Sequence, residues 1–282
     1  MRIATWNVNS VKARLPLILA WLENRQPDVL LLQEIKCETA AFPTQAFAEN
    51  GYHGVVVGQK AYNGVAVLAR TPLILIPRAT ALPPAPENPA GPPDPDDLQA
   101  RYAEVTVAAD PAGPGIRIAS LYLPNGNPVT DDDGTPSHKY RYKLAWMARL
   151  ERHARTLLTC GEPVALGGDY NVIPAPADVY DPVGWQDDAL FRLPSRQAYR
   201  RILHQGYTDA FRALHPDQPR AYTFWDYQAG CWPQDRGLRI DHMLLSPAAA
   251  DRLHSAVIDR DPRGQEKASD HTPLVVELDS VP

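Results

Sequence analysis

Short apolar runs rich in β-branched residues recur at 3–6, 29–32, 55–57, 65–68, 103–107, 116–123, 164–166, 240–245 and 274–278, and each predicts a strand. Helical patterns are fewer and fall between pairs of these runs. Leu15, Ile18, Leu19 and Leu22 share one helical face, with Pro16 expected near the first turn, where its missing N–H costs little. A longer pattern covers about 137–159. There Leu144, Met147, Ala148, Leu150, Ala154 and Leu157 form an apolar stripe, while Lys139, Arg141, Arg149, Arg152 and Arg155 are expected in solvent. Strands outnumbering helices in this way fit sheets packed on one another with helices outside better than an alternating barrel. The segment 77–97 is too rich in proline for a helix interior or a central strand and predicts an exposed loop. No fixed period marks a solenoid or propeller.

A chain of 282 residues with 44% apolar and 22% charged side chains can bury a substantial core, and we expect one catalytic domain over 1–282. The net charge of −5 argues against a protein that coats nucleic acid nonspecifically, because such binding draws on Lys and Arg neutralising phosphates. It leaves room for a local basic face. Cys37, Cys160 and Cys231 are too few and too widely spaced for a disulfide framework or a zinc site, so they read as reduced thiols. The N-terminus turns polar early, and no run approaches a membrane span of about 18 apolar residues. A cytoplasmic, non-membrane protein is expected, acting as a monomer.

Polar residues cluster just beyond the ends of the apolar runs, where a rigid scaffold can hold side chains at an accessible surface. Asn7 and Asn9 follow the first run, and Glu34 and Lys36 follow the second. Tyr122 and Asn125 end another, Gly167, Gly168, Asp169 and Asn171 end the next, and Asp241, Asp270 and His271 lie near the C-terminus. Carboxylates at Glu34, Asp169, Asp241 and Asp270, each abutting an apolar strand, would repel one another on converging unless a cation or a protonated partner intervened. Oxygens from Glu34, Asp270, Asn7 and Asn9 suit a hard ion, magnesium or alternatively manganese, and the lack of a Cys/His pattern argues against structural zinc. Neighbouring residues on a strand face opposite ways, so His271 should pair with a carboxylate other than Asp270, and Asp241 is the candidate. Gly167 and Gly168 need mean no more than a tight backbone approach to the next strand.

In their order and company, these words resemble the exonuclease III branch, with its abasic-site endonucleases, of the endonuclease/exonuclease/phosphatase superfamily. The most specific are Gly167 to Asn171, Arg236 to Asp241, and Ser269 to His271, and the matches run from Asn7 to His271. The resemblance implies an α/β fold, a four-layer sandwich of two mixed β-sheets packed face to face with helices on the outside. It implies Glu34 as principal metal ligand, with Asn7 and Asn9 beside it and Asp270 as a further contributor. Asp169 would orient and deprotonate the attacking water, with Asn171 as its companion, both close enough to count with the metal ligands. Asp241 and His271 resemble the pair that directs an imidazole at a phosphate oxygen, and Tyr122 and Asn125 match positions that approach the scissile phosphate. Phe224, Leu238 and Ile240 resemble an apolar pocket for a sugar lacking its base, whereas neighbouring Trp225 reads better as core. Arg101 matches a DNA-contacting arginine, and Lys12, Arg14, Lys36, Lys139, Lys143, Arg236 and Arg239 lie close enough to the loops to be candidates for gripping phosphate. The proline-rich segment departs from the family, and Asn9 stands where some relatives carry an acid.

The activity so implied is magnesium-dependent hydrolysis of phosphodiester bonds in double-stranded DNA. Incision falls 5′ to abasic sites, with 3′ to 5′ exonuclease action and removal of 3′ phosphates or other 3′ blocks. The alternatives are a phosphodiesterase or phosphatase acting on small-molecule or lipid phosphates, and a DNA-binding module without catalysis.

Overall fold

A computed structural model describes residues 1–84 and 99–279. Its strands are β1 (Arg2–Asn7), β2 (Val29–Gln33), β3 (Tyr52–Val57), β4 (Val65–Arg70), β5 (Ile74–Ala79), β6 (Tyr102–Ala108), β7 (Gly115–Tyr122), β8 (Val164–Asp169), β9 (Thr208–Asp209), β10 (Asp241–Leu245), β11 (Leu253–Ile258) and β12 (Leu274–Leu278). The helices are α1 (Val11–Arg25), α2 (Thr44–Glu49), α3 (His138–Leu158), α4 (Leu193–Leu203), α5 (Ala210–Leu214) and α6 (Pro247–Ala250). Two six-stranded sheets result, ordered β11-β12-β1-β2-β4-β3 and β5-β6-β7-β8-β10-β9. Each contains one parallel pair, β1 with β2 and β7 with β8, flanked by antiparallel strands. Parallel neighbours need a crossover, and α1 and α3 supply the two.

The alternation of side chains explains the layers. In β2 every residue is buried, because Val29 and Leu31 face the second sheet while Leu30 and Leu32 face α1. Ile3, Val65 and Val67 meet Val105, Ile118 and Met243 between the sheets. Outside them, Ile18, Trp21 and Leu22 of α1 cover the first sheet, and Trp146, Met147 and Leu150 of α3 with Tyr199 and Ile202 of α4 cover the second. The architecture is the expected four-layer α/β sandwich of mixed sheets. Among the described residues no helix is long and apolar enough to cross a membrane.

The expected elements need correction in places. Residues 77–79, assigned above to the proline-rich loop, belong to β5, an edge strand that accommodates Pro77 beside a register shift; residues 85–97 of that segment lie outside the described residues. Pro16 sits inside α1, beyond its first turn, and Ser10 provides the N-cap. Arg149, placed above in solvent, is buried and donates to the carbonyls of Leu82 and Pro83.

Candidate active site

The C-terminal ends of the two parallel pairs point to the same edge of the sandwich, and the polar side chains gather there. Asn7 ends β1 and is fully buried; its Nδ2 donates to Glu34 Oε1 at 2.9 Å and to Asp169 Oδ2 at 3.0 Å, so one amide links the two sheets. Its Oδ1 accepts from the Asn9 backbone at 3.0 Å. Glu34, just past β2, takes a left-handed φ of 50° that costs on the order of 1 kcal/mol and turns its carboxylate toward Asn7. Lys36 Nζ lies 2.8 Å from Glu34 Oε2 and also donates to Asn9 Oδ1. Burial alone would raise the Glu34 carboxyl, but the bonds from Asn7 and Lys36 and the lysine charge hold it below its ordinary range, so it is ionised.

Asp169 ends β8, 1% exposed. A Cβ on the preceding Gly168 would lie 1.9 Å from the Leu121 carbonyl oxygen, so only glycine allows the strands to close here. Asp169 Oδ1 accepts the Asn171 backbone N–H at 2.8 Å, and Oδ2 accepts from Asn7 and, at 3.3 Å, from Asn171 Nδ2. Burial drives the Asp169 carboxyl well above its usual range; the nearby His271 pulls it down and Asp241 pushes it up. His271 Nδ1 is 2.8 Å from Asp241 Oδ2, and because a carboxylate accepts, that nitrogen carries a proton. Nε2 lies 3.8 Å from Asp169 Oδ2. Burial disfavours the imidazolium, yet Asp241 and Asp169 outweigh it and raise His271 above its ordinary value. Thr223 Oγ1 steadies Asp241 by accepting the backbone N–H groups of Ile240 and Asp241, both at 3.1 Å.

Tyr122 is half-buried beneath the Arg101 guanidinium, whose carbon stands 4.9 Å from the ring centroid. Burial and the Glu34 and Asp169 charges push its hydroxyl far up, so it remains a donor. Asn125 Nδ2 donates to Asn171 Oδ1 at 3.3 Å, and Asp270 Oδ1 accepts from Asn9 Nδ2 at 3.1 Å. Ligand atoms of Glu34, Asp169 and His271 all lie within 4.8 Å of one another, an acidic cluster that could bind a metal ion. Asp270 stands outside this closest group, and Asn7 turns its nitrogen rather than its oxygen toward it.

These groups line a cleft of about 490 Å³ whose other wall is apolar, formed by Leu190, Phe224, Leu238, Ile240 and Trp185. Trp225 is fully buried outside that wall, as core. Two candidates for gripping phosphate fail on burial. Lys143 is fully buried and donates to the carbonyls of Pro124 and Asn171, while Arg239, 1% exposed, is locked to Asp178 at 2.7 Å and Asp209 at 2.9 Å. Lys12, Lys139 and Arg236 are exposed and reach solvent. Sequence reasoning missed Asn127, Tyr180, Trp185 and Asp188, which also line the cleft. Asn127 stands two places beyond Asn125 and could have been found from the same strand end; the others belong to a loop with no local signal.

This fold, with its acidic cluster at one edge of paired sheets, is that of metal-dependent phosphoesterases, and the chain belongs to the endonuclease/exonuclease/phosphatase family, whose pattern matches residues 4–271. Within the family it falls in the exodeoxyribonuclease III and abasic-site endonuclease branch of DNA repair nucleases, which are hydrolases. It is 30% identical to exodeoxyribonuclease III of Haemophilus influenzae, over 99% of this chain and 100% of the relative. Solved structures similar to it include an AP endonuclease from Archaeoglobus fulgidus, with TM-score 0.85 and 34% identity over 99% of this chain and 100% of that one. A 3′ phosphatase from Neisseria bound to a product DNA hairpin superposes with TM-score 0.84 at 36% identity, over 99% of this chain and 100% of the other.

Proposed function

We propose that this chain, acting as one catalytic domain and as a monomer in the reducing cytoplasm that suits its thiols, incises double-stranded DNA on the 5′ side of abasic sites. It leaves a 3′-hydroxyl, and it also removes nucleotides or phosphate from blocked 3′ ends. The observation that carries this reading is the convergence of Glu34, Asp169 and the Asp241–His271 pair in one cleft with an apolar wall. Phosphodiester hydrolysis needs a proton acceptor for water, donors for the anionic phosphate and stabilisation of the leaving alkoxide. Asp169, raised by burial, accepts a proton from water and is held in place by Asn7 and Asn171. His271 directs its Nε2 proton to a phosphate oxygen, with Asp241 fixing the ring. Tyr122 and Asn125 add donors from β7 and its loop. Glu34, with Asp270 across Asn9, would hold magnesium or manganese, which supplies positive charge to the phosphate and the leaving oxygen. Phe224, Leu238 and Ile240 offer no polar partner to a base, which favours a baseless sugar whose extrusion costs little stacking. Arg101 and Asn9 flank the cleft as contacts to the DNA backbone.

The test is a duplex carrying one abasic analogue, incubated with magnesium or with excess chelator. Cleavage 5′ to the lesion with magnesium alone is expected. An intact duplex in both arms, or faster turnover of an inositol phosphate, rejects the reading.

A further inference from the structure

Lys143 takes no part in the chemistry above, yet it is a fully buried ammonium placed where the two halves of the second sheet's site meet. It extends from α3, the helix that crosses over from β7 to β8, back to the ends of the very strands that helix connects. Its Nζ donates to the Pro124 carbonyl at 3.0 Å, in the turn after β7, and to the Asn171 carbonyl at 2.7 Å, in the turn after β8. Pro124 precedes Asn125. Asn171 adopts a left-handed φ of 47°, with its carbonyl turned to Lys143 and its amide to Asp169 Oδ1 at 2.8 Å. The Asn171 side chain ties the same turns from the other side, donating to the Leu123 carbonyl at 2.9 Å and accepting from Asn125. Gly126 gives the lysine stem its passage: a Cβ there would meet Lys143 Cδ at 2.6 Å.

Burying an ammonium costs several kcal/mol, and a methionine of similar length would fill the same channel without that cost. What the amine adds, even with burial pushing it down to about 7, is a pair of donors spanning two turns beside Asp169. We propose that Lys143 is a positioning residue, which sets the Asn171 turn, and through it Asp169 and Asn125, in register for attack on the phosphate. The proposal rests on the nuclease reading for its kinetic arm only.

Lys143→Met, Lys143→Arg and Gly126→Ala make the test. A displacement of about 1 Å in a group that positions reactants can cost roughly 100-fold, so Lys143→Met is expected to lose about that factor in kcat on the abasic duplex. KM and duplex affinity by fluorescence anisotropy in chelator should stay within about threefold, the pattern of an interaction used only in the transition state. Lys143→Arg, which keeps a cationic side chain with more than one N–H donor, should recover much of the loss, and Gly126→Ala, which displaces the stem, should reproduce it. A kcat for Lys143→Met within about threefold of the parent overturns the proposal, as does a parallel loss of kcat and affinity that arginine does not relieve. Crystal structures of the parent and whichever of these variants folds decide it without any turnover: an Asn171 turn moved away from Asp169 supports the role, and an unmoved turn rejects it. Should the parent cut no DNA, the functional reading fails while this structural outcome still judges Lys143.

Discussion

His242 and His271 are both buried and both within reach of carboxylates, yet one is neutral and the other an imidazolium. His242, on β10, accepts a hydrogen bond from Arg239 at Nδ1 over 3.0 Å and donates from Nε2 to the Val172 carbonyl at 2.9 Å, which fixes it as neutral. Burial and the Arg239 charge push it down to about 4 despite Asp209. His271 meets no such cation; Asp241 and Asp169 hold its proton against the same desolvation. The contrast teaches that burial alone does not assign a state: the sign of the nearest fixed charge does. Around His242, Arg239 with Asp178 and Asp209 forms a closed, compensated lock beneath the cleft. Around His271, carboxylates face one another with one imidazolium between them, an incomplete balance that a substrate phosphate and a cation can complete.

Three experiments press on this contrast. Asp169→Asn should lower kcat on the abasic duplex by on the order of 10²–10⁴, the usual contribution of a positioned base, with far-UV circular dichroism unchanged; retained turnover would remove Asp169 from the chemistry. Arg239→Met should act on stability instead, because it strands the buried carboxylate of Asp209 and leaves Asp178 with Arg212 alone, at a cost of roughly 3–5 kcal/mol in urea unfolding. A stability equal to the parent's would mean the lock is not a closed charge network. The smallest effects lie in the pH dependence. His242 is depressed from 6.5 to about 4, so its contribution is full above 6.5 and is lost as pH falls toward 4. His271 is raised, so its contribution is full below 6.5 and is lost as pH climbs through its folded value. Each changes the unfolding free energy by up to about 1.4 kcal/mol per pH unit within its window. His242→Gln should flatten the acid side and His271→Gln the alkaline side, and matching slopes in the two variants would erase the distinction.

Much of the scaffold was legible because strand alternation and short polar words leave local marks. Asn7, Glu34, Asp169 and His271 each follow or precede an apolar run, and the pairing of His271 with Asp241 followed from the opposite facing of adjacent residues. Depth was not legible. Lys143 sits in a run of lysines, arginine and tyrosines that reads as a solvated face, and Arg239 stands among candidate DNA contacts; their burial depends on carbonyls and on Asp178 and Asp209 brought in from distant turns. Helix α4 escaped notice because its buried face includes Ser195 and Ala198, too small and polar to mark a stripe. Strand β11 was hidden by its exposed Val257 and by the adjacent polar residues His254 and Ser255, which break the alternation.

In the antiparallel ladder between β8 and β10, Asp169 stands directly opposite Asp241. Two such side chains emerge on one face by construction, so the spacing between base and imidazole holder is written into main-chain hydrogen bonding rather than into flexible rotamers. Inserting one residue within either strand would turn its acid to the opposite face, among Leu166 and Leu244 beneath α3 and α4, and the chain would have to break the ladder or abandon the reaction.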